Sequence, residues 1–185
     1  MQSFLRKKEC KLNTGKRFET DIKNSIPENV FYYRIKDSTG KFSGGKELRF
    51  SSKQPCDCFL YNGINLYTIE LKSIKGTSFS FEDVNSDVNY TKKIHKHQIL
   101  SLLKFAKFEN IISGFIFNFR KKDGTQKTYF QFIDDFLDMT KNVNKTSFNE
   151  KDLLKFHPIE LEGIKLKKNY RWNIEKLMDD IDKSQ

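Results

Sequence analysis

Apolar residues near the start of the chain follow a helical spacing. Phe18 and Ile22 are four residues apart, so they lie on one face of a predicted helix. We expect this helix to begin near Asn13 or Thr14, because either side chain can accept a hydrogen bond from the free N–H groups of a helix start. It should end at 25–27, since proline disfavours the helical conformation of the residue before it.

Further helices are predicted in the second half of the chain. Residues 91–105 are predicted to form a helix with Ile94, Leu102 and Phe105 on one face. Gln98 lies on that same apolar face, where a buried amide needs a hydrogen-bond partner. Shorter helices are predicted at 134–139, 149–156 and 173–181.

Several segments rich in β-branched and aromatic residues are predicted to be strands. Asn62-Gly63 and Asp123-Gly124 lie between such segments and are typical hairpin turns. The predicted strands are 30–36, 57–61, 66–72, 111–119 and 128–133.

The order of these elements predicts a single-domain α/β fold over residues 1–185. Strands interrupted by helices favour a mixed β-sheet flanked by helices. No repeat, low-complexity segment or linker divides the chain. The polar segment 37–49 contains glycines and basic residues and is predicted to be a loop.

The composition narrows the possible partners. A formal net charge of +10 and a pI near 9.4 favour a polyanion, of which nucleic acid is the first candidate. A Lys-rich protein without such a partner is the alternative. No run of about eighteen apolar residues is present, so we expect no membrane contact. Cys10, Cys56 and Cys58 are too few for a disulfide framework and favour a cytoplasmic location.

The hairpin 57–72 carries the clearest chemical signal. Glu70 and Lys72 are two apart on a strand and point to the same face, and strand pairing brings Asp57 beside Glu70. Two carboxylates repel each other unless a cation such as Mg²⁺ lies between them. A neighbouring ammonium can orient water or stabilise charge on phosphorus. These groups suffice for phosphodiester hydrolysis, although Glu-x-Lys on a strand is more often a solvated face.

Glu19 and Gln98 are further candidates for this site. Glu19 follows Phe18 on the first helix, where an exposed surface carboxylate is the simpler interpretation. Gln98 is either a buried residue with its own partner or a residue that faces the site. Basic residues of the loops and termini are candidates for DNA binding: Lys16, Arg17, Arg34, Lys36, Lys41, Lys46 and Arg49.

These motifs resemble the RecU family of Holliday junction resolvases and their phage-borne relatives, over about residues 13–162. Residues 15–19 (Gly-Lys-Arg-Phe-Glu) resemble the family's N-terminal helix motif. Asp57 and Glu70-Leu71-Lys72 resemble its PD-(D/E)XK catalytic motif. Further similarity lies at 77–79, at 95–98 (which resembles the stretch with its helix glutamine), at 145–148 and at 158–159.

The resemblance implies a restriction-endonuclease-like fold and a homodimeric, structure-selective endodeoxyribonuclease. It implies dependence on Mg²⁺, with Mn²⁺ as a substitute, and paired nicks in a four-way DNA junction. It also implies that Glu19, Asp57 and Glu70 hold or steer the metal. Lys72 would act on the attacking water, and Gln98 would support the site.

The chain departs from the RecU pattern between its first helix and Asp57. RecU-like proteins have a long projecting stalk there, whereas this chain has the short basic loop 37–49 in its place. The alternatives are a restriction-type or other branched-DNA nuclease of the PD-(D/E)XK type and a catalytically silent DNA-binding relative. His95 and His97 straddle one residue of the predicted helix, so we expect different faces and no metal pair. The bias towards Lys, Asn, Ile and Phe fits a phage or a low-GC bacterium.

Overall fold

The computed structural model describes residues 14–35, 53–86 and 92–184. The helices in these ranges are α1 (Thr14–Lys23), α2 (Lys96–Phe105), α3 (Ile133–Asn142), α4 (Glu150–Leu153), a 3-10 turn (Leu154–Phe156) and α5 (Ile174–Lys183). The strands are β1 (Phe31–Arg34), β2 (Cys58–Tyr61), β3 (Leu66–Ile74), β4 (Ser78–Ser80), β5 (Ile111–Arg120), β6 (Gln126–Phe132), β7 (Ser147–Asn149), β8 (Ile159–Glu160), β9 (Gly163–Lys165) and β10 (Tyr170–Trp172).

A mixed sheet forms the centre of the described residues. Its strand order is β1-β2-β3-β5-β6-β8. β3 and β5 are parallel, from Leu66 opposite Ile111 to Ile74 opposite Phe119. The other neighbouring strands in this sheet are antiparallel. Parallel neighbours need a crossover connection, and the segment that contains α2 supplies it. The mixed sheet with flanking helices confirms the predicted α/β fold class.

Two hydrophobic layers cover the two faces of this sheet. α1, α5 and β10 pack on one face, where the rings of Phe18 and Trp172 meet edge to face at 5.8 Å. α2, α3 and the β4–β7 pair pack on the other. On that side the β5 ring of Phe117 meets Phe148 at 5.0 Å. β5 is thus buried on both faces, which explains why its sequence is mostly apolar.

Both predicted hairpins are confirmed. β2 pairs with β3 and β5 pairs with β6, in each case antiparallel. Gly63 has a φ of 96° and Gly124 a φ of 85°, which L side chains rarely adopt. The predicted first helix is also confirmed, because α1 begins at Thr14. Asn13 lies outside the described residues, as does the loop 37–49.

The predicted start of the second helix is wrong. α2 begins at Lys96, and Ile94 instead forms an isolated parallel bridge with Phe81. The Ile94 N–H donates to the Ser80 carbonyl at 3.0 Å, and His95 is extended, with φ −95° and ψ 146°. The strand-like contact of Ile94 with Ser80 and Phe81 therefore replaces the first turn of the predicted helix.

The remaining sequence expectations have mixed outcomes. The predicted C-terminal helices correspond to α3, to α4 with its 3-10 turn, and to α5, whereas the short strands β4 and β7 to β10 were not predicted. Cys56 and Cys58 are buried free thiols, and burial raises the pKa of Cys56 to about 12. Cys10 lies outside the described residues. Within the described ranges, no helix has the length and apolar character needed to cross a membrane.

Candidate active site

The candidate catalytic residues lie where β3 extends beyond the start of β2, a position in the central sheet that we call the notch. β2 begins at Cys58, opposite Ile69, whereas β3 continues to Ile74. Asp57 extends the ladder by one step, because its N–H donates to the Ile69 carbonyl at 3.1 Å. Its carboxylate Oδ2 then accepts the Leu71 N–H at 2.7 Å. The Asp57 side chain thus takes the place of the next strand residue and is held beside Glu70.

Glu70 and Lys72 point to the same face of β3, as their spacing predicts. The Lys72 Nζ lies 2.9 Å from the Glu70 Oε1, and the Glu70 residue is only 3 % exposed. Burial raises the pKa of Glu70 to about 7; the nearby Asp57 carboxylate adds to this effect and Lys72 opposes it. Burial also raises the pKa of Asp57, against the lowering effects of the Leu71 N–H, Lys72 and Arg34. The two carboxyls are therefore close together, Glu70 buried and Asp57 partly buried, and they are costly to ionise together.

Gln98 contacts Glu70 from the N-terminus of α2. Its amide Nε2 donates to the Glu70 Oε1, and its Oε1 accepts the His95 N–H at 3.0 Å. The second bond fixes the orientation of the amide, so the NH₂ group must face Glu70. Gln98 therefore caps α2 and also faces the site. The sequence left open a residue with its own hydrogen-bond partner or a residue that faces the site, and Gln98 is both.

Glu82 and His95 support this cap, and sequence reasoning missed both roles. The Glu82 carboxylate accepts the Lys96 N–H at 2.7 Å and lies 2.9 Å from the His95 Nδ1. A carboxylate at a helix start is stabilised by the free N–H groups there. A signal was present in the sequence, since Gln98 follows His95 by three residues, the spacing of a capping box.

The two histidines of this segment lie side by side, so the prediction of different faces is wrong. The His95 and His97 rings stack at 5.6 Å with 15° between their planes. The reason is that His95 is the extended cap of α2 rather than a helical residue. Burial lowers the pKa of His97, and the positive charges of Lys53, His95 and Lys72 lower it further.

The structure pairs Glu19 with Arg34 rather than with the carboxyls of Asp57 and Glu70. The Arg34 Nη2 forms an ion pair with the Glu19 Oε2 across α1 and β1. The positive charge of Arg34 also lowers the pKa of Asp57, so the guanidinium acts on one carboxyl of the site. Within the described ranges, no three His, Cys, Asp or Glu side chains are grouped to hold a metal. The predicted set is thus brought together as Asp57, Glu70, Lys72 and Gln98, with Glu19 outside it.

The chemistry of the donor set fits a hard divalent cation. Asp57 and Glu70 offer only oxygen ligands, and burial raises the pKa of each. A cation would relieve the cost of two neighbouring negative charges at this site. Mg²⁺ is commonly held by one or two carboxylates, with water and substrate phosphates as its other ligands. Two carboxylates are therefore sufficient for a site of this kind.

The predicted DNA-binding residues fall into three groups. Lys16 and Arg17 are exposed on α1. Arg34 is exposed on the strand β1 but is paired with Glu19. The others, Lys36, Lys41, Lys46 and Arg49, lie outside the described residues.

Comparisons with known proteins identify one relative of similar length. No family model matches the chain. The SPbeta prophage-derived uncharacterized protein YotM of Bacillus subtilis is 34 % identical over 189 residues, which cover 94 % of this chain and 89 % of YotM. Among solved structures, Hjc, a Holliday junction resolvase from Archaeoglobus fulgidus, has a TM-score of 0.47 and 16 % identity, over 79 % of this chain and 95 % of Hjc. A likeness this weak carries no argument about function.

Proposed function

We propose that this chain, which belongs to the same family as the prophage protein YotM, is a metal-dependent DNA endonuclease. One observation carries the proposal: Asp57, Glu70 and Lys72 meet in a notch of the sheet, where the buried Glu70 carboxyl lies beside the partly buried Asp57 carboxyl. Ordinary surface carboxylates would not be held at this cost. The net charge of +10 supports a polyanionic substrate.

Each residue of the site has a distinct proposed role. Asp57 and Glu70 hold the cation, which when bound polarises a phosphate and lowers the pKa of a water. Lys72 donates hydrogen bonds to the attacking water and to the phosphate as negative charge develops. Gln98 is a positioning residue, because its amide fixes the Glu70 carboxylate without touching the substrate. Glu19 steers the cation only if its pair with Arg34 opens.

We propose four-way DNA junctions as the substrate and a homodimer as the active form. The resemblance of the 57–72 and 95–98 motifs to RecU-like resolvases supports the junction. Two nicks related by symmetry require two sites, and a chain with one notch offers one. Sedimentation equilibrium at about micromolar concentration, with and without junction DNA, tests the dimer. A protein that stays monomeric in both samples would contradict it.

A single set of gels tests the substrate. Labelled four-way junction, linear duplex and single strand of matched sequence are each incubated with Mg²⁺ or with EDTA. We expect Mg²⁺-dependent cutting of the junction alone, in paired positions on opposite strands. Site-specific cutting of linear duplex would indicate a restriction-type nuclease instead. Binding without any cutting would indicate a catalytically silent relative.

A further inference from the structure

A basic groove lies at the carboxyl ends of β3 and β5, outside the residues assigned above. Its volume is about 630 Å³. It is lined by residues that follow β3, by residues at and just after the end of β5, and by the start of α4. Its charged lining residues are Lys75, Arg120, Lys121, Lys122, Lys151 and Glu150.

Most of the positive charge in this groove is not neutralised. Lys121 pairs with Glu150 at 3.6 Å, and the Tyr129 hydroxyl donates to the same carboxylate at 2.9 Å. Lys75, Lys122 and Lys151 are exposed and form no ion pair in the part of the chain that the structure describes. Five cations therefore face one carboxylate, which is an arrangement that favours a polyanion over a single small anion.

Arg120 connects the groove to the first helix. Its buried Nε and Nη2 have no hydrogen-bond partner within the described residues. Burial lowers the pKa of Arg120, and the positive charge of Arg17 on α1 lowers it further, while Asp21 opposes both. The basic surface thus runs from the groove, past Arg120, to the exposed basic residues of α1.

The groove and the candidate active site lie along one strand. Glu70 and Lys75 are five residues apart along β3 and its end, which corresponds to about 16 Å at roughly 3.3 Å per residue. This is close to the rise of about five base pairs of duplex DNA. A duplex arm of more than about five base pairs is therefore long enough to reach from one feature to the other.

We propose that this groove binds the phosphate backbone of a duplex DNA arm beside the cleavage site. The proposal rests on the proposed function and adds a recognition surface to it. Ammonium groups on flexible side chains contact phosphates without reading base sequence, so the groove contributes affinity and orientation. Neutralising phosphates releases counterions, which makes each contact visible as salt dependence.

The test compares two double variants that remove the same charge. Lys75→Ala/Lys122→Ala removes two of the positive charges that line the groove. Lys104→Ala/Lys107→Ala is the control: both lysines are exposed and precede the start of β5, a strand that spans about 30 Å at roughly 3.3 Å per residue and has the groove at its other end. Affinity for a labelled linear duplex is measured without divalent metal from about 50 mM to about 200 mM salt. Thermal melting of each variant confirms that it is folded.

The groove variant should lose about 1.8 from the slope of log affinity against log salt, and at least about fivefold in affinity at the low-salt end. The control should keep the wild-type slope. Equal slopes for the wild type and the groove variant would overturn the groove proposal. Equal losses of slope and affinity in the groove variant and the control variant would also overturn it, because the effect would then depend only on net charge. If the wild type bound and cut no DNA, the proposed function itself would fail. Intact wild-type cutting with an unchanged groove variant would reject the groove alone.

Discussion

Replacing Glu70 with glutamine removes a buried carboxyl whose pKa burial raises from 4.5 to about 7. Between these values the folded protein binds the proton more tightly than the unfolded chain does. The free energy of unfolding of the wild type should therefore fall as the pH rises through this interval. The difference between 4.5 and about 7, at about 1.4 kcal/mol per pH unit, gives about 3 kcal/mol. Glutamine does not titrate, so Glu70→Gln should lack this loss.

The assay is thermal melting of both proteins across the pH range, in buffer with EDTA. Protonated glutamic acid and glutamine have nearly the same shape, so the two proteins should melt at similar temperatures near pH 4.5. About 3 kcal/mol corresponds to about 6–12 °C for a chain of this size. We therefore expect Glu70→Gln to melt about that far above the wild type at about pH 8. Added Mg²⁺ should narrow the gap, because it stabilises the ionised wild type.

A matched control separates the buried site from a general effect of charge. Glu162 is a surface carboxylate whose side chain is 57 % exposed and paired with Lys176. Its pairing is screened by water, so the melting temperatures of Glu162→Gln and of the wild type should change with pH by the same amount. Parallel melting curves for Glu70→Gln and the wild type would refute the argument, because Glu70 would then be no harder to ionise in the folded protein than in the unfolded chain.

Further predictions concern the catalytic groups, the metal and the packing. Asp57→Asn and Lys72→Gln should each lower the cleavage rate about a hundredfold or more but retain DNA binding, and cutting near the wild-type rate would reject the site. Mg²⁺ or Mn²⁺ should support cutting, EDTA should abolish it, and Ca²⁺ should support binding with little cutting, as gels with each metal will show. Gln98→Ala should lower the single-turnover rate about tenfold to a hundredfold, and Gln98→Glu should lower it further because it adds a carboxylate to the site; unchanged rates would remove Gln98 from it. Gly114→Ala should cost at least about 1–3 kcal/mol in denaturant unfolding, since the added Cβ would lie 2.3 Å from the Gln131 carbonyl oxygen, and an unchanged midpoint would contradict this packing.

The core of the candidate site could be predicted from the sequence because its geometry is local. Side chains on a strand alternate, so two residues of separation already place Glu70 and Lys72 on one face. The turn at Asn62-Gly63 sets the pairing that brings Asp57 to Glu70. The fold class followed for the same reason, since helix and strand periods are properties of short segments.

The roles of Gln98, Glu82 and Glu19 were decided by the tertiary structure. Gln98 meets Glu70 across 28 residues of sequence, and Glu82 caps α2 across 14. The late start of α2 follows from the bridge between Ile94 and Phe81, a contact that no helical period reveals. Such contacts depend on how whole elements pack, and packing overrides the weak preferences of short segments. The sequence alone therefore determined which groups meet at the centre of the candidate site, and the packing of α1 and α2 against the sheet decided where Glu19 and Gln98 lie relative to them.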